Sequence, residues 1–220
     1  MIYNKRYDYI YFPAMLVLIM WLVKAVEYYF ELDLKSLGIY PRNAKSLSGI
    51  FFSPFIHGDF KHLAGNTMPI FLLSMAILYF YQKMAYRIIF LSWIFTGIGV
   101  WLGGRYSWHI GASGLVYAFF SFLFFSGVLS KDRKLISISL LIIFLYGGLI
   151  WGVLPTNKNI SWESHLFGFI IGFILAYFFG KEYLFFEPKV IAPEIEDFID
   201  INSTHDKELE IKYWYEDNSE

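Results

Sequence analysis

Six long runs of apolar residues, separated by short polar segments, dominate the first 180 positions of the chain. The runs cover residues 10–30, 62–81, 88–103, 113–129, 135–154 and 165–180. Each approaches the roughly 20 apolar residues with which an α-helix crosses the hydrocarbon core of a bilayer. None alternates apolar and polar positions as a barrel strand does, and a single segment in lipid satisfies its backbone polar groups only as a helix. The pattern therefore predicts an all-α membrane protein with six transmembrane helices.

The pattern changes after residue 180. Residues 182–220 carry 12 acidic side chains against three lysines, which makes this segment too polar to span a bilayer. We therefore predict two parts, a membrane domain over residues 1–180 and a short acidic tail over residues 181–220. Composition agrees with this division, because the chain is 57% hydrophobic and only 17% charged, which excludes an ordinary soluble domain. The absence of cysteine excludes disulfides, thiolate metal sites and a cysteine nucleophile.

Basic residues in the short connections predict the orientation of the spans. Those on one side of the predicted spans are Lys5, Arg6, Lys83, Arg87, Lys131, Arg133, Lys134 and Lys181. The two short connections on the other side contribute only Arg105 and Lys158. By the positive-inside rule both termini are cytoplasmic, so the acidic tail is expected in the cytosol.

Polar side chains gather where spans two, four and six begin, all on the predicted outer side. These positions carry His62 with Asn66, then Ser113 between two glycines, and then His165. Polar residues are costly in a bilayer unless they face the bundle interior or water, so they mark candidate functional positions. A serine nucleophile needs a base within hydrogen-bond reach and donors for the developing oxyanion. The cluster supplies each of these groups.

Each element of this cluster also has a structural interpretation. Gly111-Ala112-Ser113-Gly114 and the spaced pair Gly168 and Gly172 are typical of tight helix packing in membranes. His62 and Asn66 share one helix face and could simply be a structural hydrogen-bonded pair. Their joint occurrence at one membrane face is what favours a catalytic site.

Other polar residues have weaker claims to a functional role. We expect Lys24 and Glu27 to pair with each other or to reach the interface. His57, near Asp59, and His109 are each an alternative base or a solvated or packing residue.

The motifs resemble the rhomboid family of intramembrane serine proteases. The family pattern of six helices carries a His-x-x-x-Asn pair, a Gly-x-Ser-Gly turn and a histidine followed by spaced glycines. Here these read His62 to Asn66, Gly111 to Gly114, and His165 to Gly172. The resemblance extends over about residues 8–180 and includes Gly38-Ile39-Tyr40-Pro41-Arg42 in the first outer connection. It implies a six-helix rhomboid-like bundle.

The resemblance also implies roles for individual residues. Ser113 is then the nucleophile and His165 the general base, which together form a dyad. His62, Asn66 and the Ser113 backbone N–H would form the oxyanion hole, Gly111 would shape it, and Tyr117 would stack on the base. Gly114 and Gly168 are supporting residues at the same helix ends. No metal or other cofactor is implied.

The resemblance further implies the partners and the location of the protein. Substrates would be single-span membrane proteins that are cleaved near the outer interface, and the partners are the lipid bilayer and these proteins, not nucleic acid. The Phe, Tyr, Ile and Lys richness is compatible with a bacterial inner (plasma) membrane.

Two other functions are compatible with the sequence. A catalytically silent relative would bind membrane helices without cutting them. A metal-dependent enzyme would use the outer-side histidines and carboxylates, since imidazole with carboxylate suits zinc, although no His-Glu-x-x-His motif is present.

Overall fold

The computed structural model describes residues 8–131, 133–146, 152, 154 and 161–181. Regular structure in these residues is helical, and their only β-type pairing is a single bridge between Ile39 and His109. The α-helices are α1 Asp8–Tyr29, α2 Gly49–Phe52, α3 Phe60–Phe80, α4 Ala85–Gly103, α5 Ser113–Ser130, α6 Arg133–Tyr146 and α7 Trp162–Phe179. Three short 3-10 turns, Leu34–Leu37, Ala44–Ser46 and Ser53–Phe55, lie between α1 and α3.

Five of these helices, α1, α3, α4, α5 and α7, are long and apolar enough to cross a membrane. They overlap the predicted spans at 10–30, 62–81, 88–103, 113–129 and 165–180. The remaining predicted span, 135–154, overlaps α6 at its start, and most of its second half lies outside the described residues, as does the predicted tail from residue 182 onward.

The start of α3 illustrates how a polar residue sets a helix end. The Asp59 carboxylate accepts a hydrogen bond from the His62 backbone N–H at 2.7 Å and so caps the helix. α3 therefore begins at Phe60, two residues before the predicted apolar run. The cap fixes the first turn of α3, which carries His62.

Helices α5 and α7 share the most extensive contact among the helices that the structure describes. A Cβ atom added to Gly168 would meet the Gly114 carbonyl oxygen, and one added to Gly172 would meet the Ala118 carbonyl oxygen. The Ser121 hydroxyl also crosses the interface and donates to the Phe169 carbonyl at 2.6 Å. Small residues thus bring the two backbones together and set their N-terminal ends side by side.

Several hydrogen bonds fasten the long connection between α1 and α3, and the side chains of Arg42 and Lys24 make some of them. Arg42 donates from its guanidinium to the carbonyls of Leu102 and Gly104 at 3.0 and 2.9 Å, which satisfies backbone acceptors at the end of α4. Lys24 of α1 is buried and donates to the carbonyls of His57 and Gly58 at 2.9 and 3.1 Å.

Lys24 also pairs with Glu27 at 2.8 Å, so the pairing expected from the sequence is present.

Candidate functional site

Ser113 and His165 meet where α5 and α7 begin. Ser113 is the first residue of α5, His165 lies in the first turn of α7, and their Oγ and Nε2 atoms are 2.8 Å apart. The other ring nitrogen, Nδ1, lies 2.8 Å from the carbonyl oxygen of Gly152. A carbonyl only accepts, so Nδ1 carries the proton and a neutral ring has its Nε2 lone pair directed at the serine. This is the tautomer that a general base requires.

Tyr117 fixes the plane of the imidazole. It lies one helical turn after Ser113, and its ring stacks on that of His165 with centroids 4.2 Å apart and planes 14° apart. Gly152 packs against both rings, and a Cβ there would collide with the Tyr117 hydroxyl. The ring of His165 is thus held by one hydrogen bond on each nitrogen and by an aromatic face.

Gly111 opens space for two polar side chains beside Ser113. Its φ of +101° is a conformation that L side chains rarely adopt, and a Cβ there would lie 2.8 Å from His62 Nε2 and 3.7 Å from Asn66 Nδ2. Asn66 is buried, and among the described residues its Nδ2 has no hydrogen-bond partner. A buried amide donor without a partner fits a position that meets a ligand oxygen.

The remaining glycines predicted for the site, Gly114 and Gly168, lie at the helix interface. The Gly114 carbonyl faces Gly168 directly, so their contribution is the close approach of α5 and α7.

His57 packs within this cluster, which is one of the roles that the sequence left open for it. It is only 1% exposed rather than solvated, and its Nε2 accepts from the Ala112 backbone N–H at 3.5 Å. Its ring packs edge-on against that of His62, with centroids 5.1 Å apart. Burial, and secondarily the neighbouring His62, lowers the pKa of His57 to about 4. No period or motif in the sequence distinguishes His57 from a loop histidine.

His109 is also buried rather than solvated, and its hydrogen bonds lead to Arg105 and Ser161 instead of Ser113. Glu163 is buried as well and faces Arg105, with Oε1 and Nε 3.4 Å apart. Neither residue takes the place of His165 beside the serine. In the described part of the chain, no three His, Asp or Glu side chains come together as a metal site.

A cavity of about 20 Å³ lies between α4 and the start of α5, and its lining includes Gly111 and Gly114 but not Ser113. Its polar lining includes Ser53, Thr96 and Ser164, and the backbone of Gly111 and Gly114 closes it. This volume is enough for about one water molecule.

Comparison with known proteins places this arrangement in a context. The family model of the Rhomboid domain matches residues 44–182. An uncharacterized protein of Mycobacterium tuberculosis H37Rv is 31% identical over 170 residues, which cover 73% of this chain and 71% of the relative. An uncharacterized protein of Mycobacterium leprae is 31% identical over 168 residues, or 72% and 66% of the two chains. A Bacillus subtilis protein named "Putative rhomboid protease YdcA" is 29% identical over 129 residues, or 56% and 62%.

Proposed function

Because the chain belongs to the rhomboid family of intramembrane proteases, we propose that it is a serine endopeptidase with Ser113 as nucleophile and His165 as general base. Its substrates are single-span membrane proteins, which it cleaves near the outer membrane interface. No cofactor takes part. The observation that carries this proposal is the 2.8 Å distance between Ser113 Oγ and Nε2 of His165, whose Nδ1–H is held by the Gly152 carbonyl.

Acylation begins when Ser113 Oγ attacks the carbonyl carbon of the scissile peptide bond. The hydroxyl proton passes to His165 Nε2, and the resulting imidazolium keeps its Nδ1–H bond to the Gly152 carbonyl. The tetrahedral intermediate collapses as His165 returns the proton to the leaving amine. A water molecule, deprotonated by the same nitrogen, then hydrolyses the acyl-enzyme.

Stabilisation of the oxyanion falls to donors beside Gly111. The backbone N–H of Ser113 lies in the first turn of α5, where N–H groups have no partner within the helix. His62 and the unpartnered Asn66 amide border the same space. Each such donor typically contributes a factor of about 100 or more to kcat. The stacked ring of Tyr117 keeps the imidazole of His165 in its orientation toward Ser113 during these steps.

The proposed topology has six spans with both termini in the cytosol, in a bacterial plasma membrane. The six apolar runs and the basic residues on one side of them support it, and every relative named above is bacterial. The site then lies at the outer ends of α3, α5 and α7, where water can reach it.

Labelling with a fluorophosphonate probe tests the assignment directly. We expect covalent labelling and cleavage of a single-span reporter protein in proteoliposomes, and we expect Ser113→Ala and His165→Ala to abolish both. Ser92→Ala, which removes a buried serine hydroxyl from α4, is the matched control and should retain both activities.

Three results would contradict the proposal. Labelling that persists in Ser113→Ala would place the nucleophile elsewhere. Cleavage that a chelator abolishes while Ser113→Ala stays active would indicate the metal-dependent alternative. Binding of the reporter with neither labelling nor cleavage would indicate a catalytically silent relative.

A further inference from the structure

A chain of hydrogen bonds that the proposed mechanism does not use joins the backbone segments that carry the nucleophile and the base. His109 Nδ1 lies 2.5 Å from Ser161 Oγ, and Ser161 Oγ lies 2.6 Å from Ser164 Oγ. His109 comes four residues before Ser113, and Ser164 comes directly before His165. The chain therefore links the approach to α5 with the first turn of α7.

Each bond in this chain has a defined direction. His109 Nε2 lies 3.1 Å from the Arg105 carbonyl oxygen, which only accepts, so Nε2 carries the proton. Burial lowers the pKa of His109, so the ring is neutral at neutral pH and Nδ1 is an acceptor. The Ser161 hydroxyl consequently donates to His109 Nδ1, and the Ser164 hydroxyl donates to Ser161 Oγ.

The Ser161 side chain makes these contacts instead of capping the N-terminus of α7. It occupies the N-cap position of α7, where a serine side chain ordinarily accepts from a backbone N–H of the first turn. Ser161 makes no such bond, and its hydroxyl is directed to His109 and Ser164 instead. A residue that breaks a local rule while making a tertiary contact points to a functional constraint.

His109 is itself held on all sides. Its backbone exchanges two hydrogen bonds with Ile39, at 2.8 and 3.0 Å, and only 2% of the residue is exposed. A second tie runs parallel to the first, because Glu163 of α7 faces both the backbone N–H and Nε of Arg105, each at 3.4 Å. His109 and Arg105, both in the α4–α5 connection, thus hold the start of α7 through Ser161 and Glu163.

We propose that His109 is a positioning residue that, through Ser161, sets the separation and alignment of Ser113 Oγ and His165 Nε2. This inference rests on the proposed function. His109 acts through α7 and makes no contact with substrate. A shift of about 1 Å between reacting groups can reduce the rate about 100-fold, so a hydrogen-bonded anchor at this point affects the chemical step.

Two substitutions at position 109 separate the two ring nitrogens. In His109→Asn the amide oxygen takes the position of Nδ1 and still accepts from Ser161. In His109→Gln the amide nitrogen takes the position of Nε2, which keeps the bond to the Arg105 carbonyl and loses that to Ser161. We expect His109→Gln to lower kcat about tenfold or more at nearly constant KM, and His109→Asn to stay within about threefold of the parent protein.

A double-mutant cycle gives a second, independent readout. Ser161→Ala should match His109→Gln, and the double variant should be no slower than either single variant, because all three break the same bond. Thermal unfolding of each variant in detergent is measured in parallel. If His109→Gln does not fold, Ser161→Ala and Ser161→Thr, which keeps the hydroxyl, make the same comparison.

The positioning role is overturned if His109→Asn and His109→Gln lose equal activity. It is also overturned if the losses of His109→Gln and Ser161→Ala add in the double variant, or if kcat simply follows the unfolding midpoint. Full activity of both His109→Gln and Ser161→Ala also overturns it. Failure of the proposed function is a distinct result, since it appears as labelling or cleavage that survives in Ser113→Ala, or as a parent protein that is neither labelled nor active.

Discussion

Gly111 has the only positive-φ glycine backbone in the described residues, and it lies where the site is most crowded. We predict that Gly111→Ala lowers kcat about 100-fold, because the methyl group would displace the His62 ring and with it an oxyanion donor. The left-handed backbone adds about 1–2 kcal/mol of strain. Steady-state cleavage of a reporter protein in proteoliposomes measures the effect.

The matched control for Gly111→Ala is Gly65→Ala. A Cβ at Gly65 meets no atom within 4 Å, and the glycine lies in the same helix as His62. Equal loss in the two variants would show that the space beside Gly111 has no catalytic importance.

Burial of His57 predicts a stability that decreases in acid. Its pKa is about 4 in the folded protein and 6.5 in an exposed chain, so the unfolded state binds the proton first as the pH falls. The contribution of His57 to folding stability should be constant above pH 7 and then decrease between pH 6.5 and 4 by up to about 1.4 kcal/mol per pH unit. Thermal unfolding in detergent across this range measures it.

In His57→Gln the side-chain oxygen can still accept from the Ala112 N–H, but nothing titrates. We therefore expect a shallower decrease of stability in acid for this variant. An unchanged pH slope would mean that His57 is not the group responsible.

At the residue scale, the sequence predicted which side chains approach one another better than how they are held. The spacing of Ser113, His62 and His165 along three spans was enough to predict a common depth. The acceptor for His165 Nδ1 is a backbone carbonyl, of Gly152, and every residue type has one, so composition carries no signal for it. The sequence left His57 and His109 open between a base, a packing residue and a solvated residue for a similar reason, since single histidines in loops have no period.

At the α5–α7 interface, a side chain on Gly168 or Gly172 would collide with a backbone carbonyl of α5. We predict that Gly168→Val destabilises the protein by about 1–3 kcal/mol, because its side chain would collide with the Gly114 carbonyl and force the helices apart. Activity should decrease further than stability alone explains, since Ser113 and His165 are attached to the two helices. Unfolding in SDS and cleavage kinetics measure the two effects separately.

Ile174→Ala, on an exposed face of the same helix, is the control for Gly168→Val. It should leave cleavage unchanged. A Gly168→Val protein with normal activity would contradict the importance of close α5–α7 packing.

At the element scale, hydropathy located the helices and missed their first turns. α1, α3, α4 and α7 begin two or three residues before the predicted apolar runs. The first turns of these helices carry the charged residues Asp8, Lys61, Arg87 and Glu163, which interrupt an apolar run. A charged residue in the first turn does not prevent helix formation, and the carboxylates of Asp8 and Glu163 are favourable at a helix N-terminus. The short turns between α1 and α3 gave no periodic signal, because they are held by Arg42 and other tertiary hydrogen bonds rather than by an amphipathic pattern.

Across the whole molecule, the number of spans decides where the C-terminus lies. The chain has no cysteine, so each introduced thiol is the only one present. With six spans, we predict that a membrane-impermeant maleimide added to intact cells labels Ser107→Cys and labels Lys131→Cys and Asn202→Cys only after lysis. Labelling of Asn202→Cys in intact cells would indicate an odd number of crossings.

The pairing of Ile39 with His109 bears on whether the protein needs an unbroken chain. Together with the Arg42 bonds to Leu102 and Gly104, it fastens the α1–α3 half of the molecule to the half that starts at α4 by contacts remote from the α3–α4 turn. That turn is therefore a suitable place to divide the gene. We expect two separately translated fragments, one that ends and one that starts near Lys83, to associate in the membrane and restore cleavage.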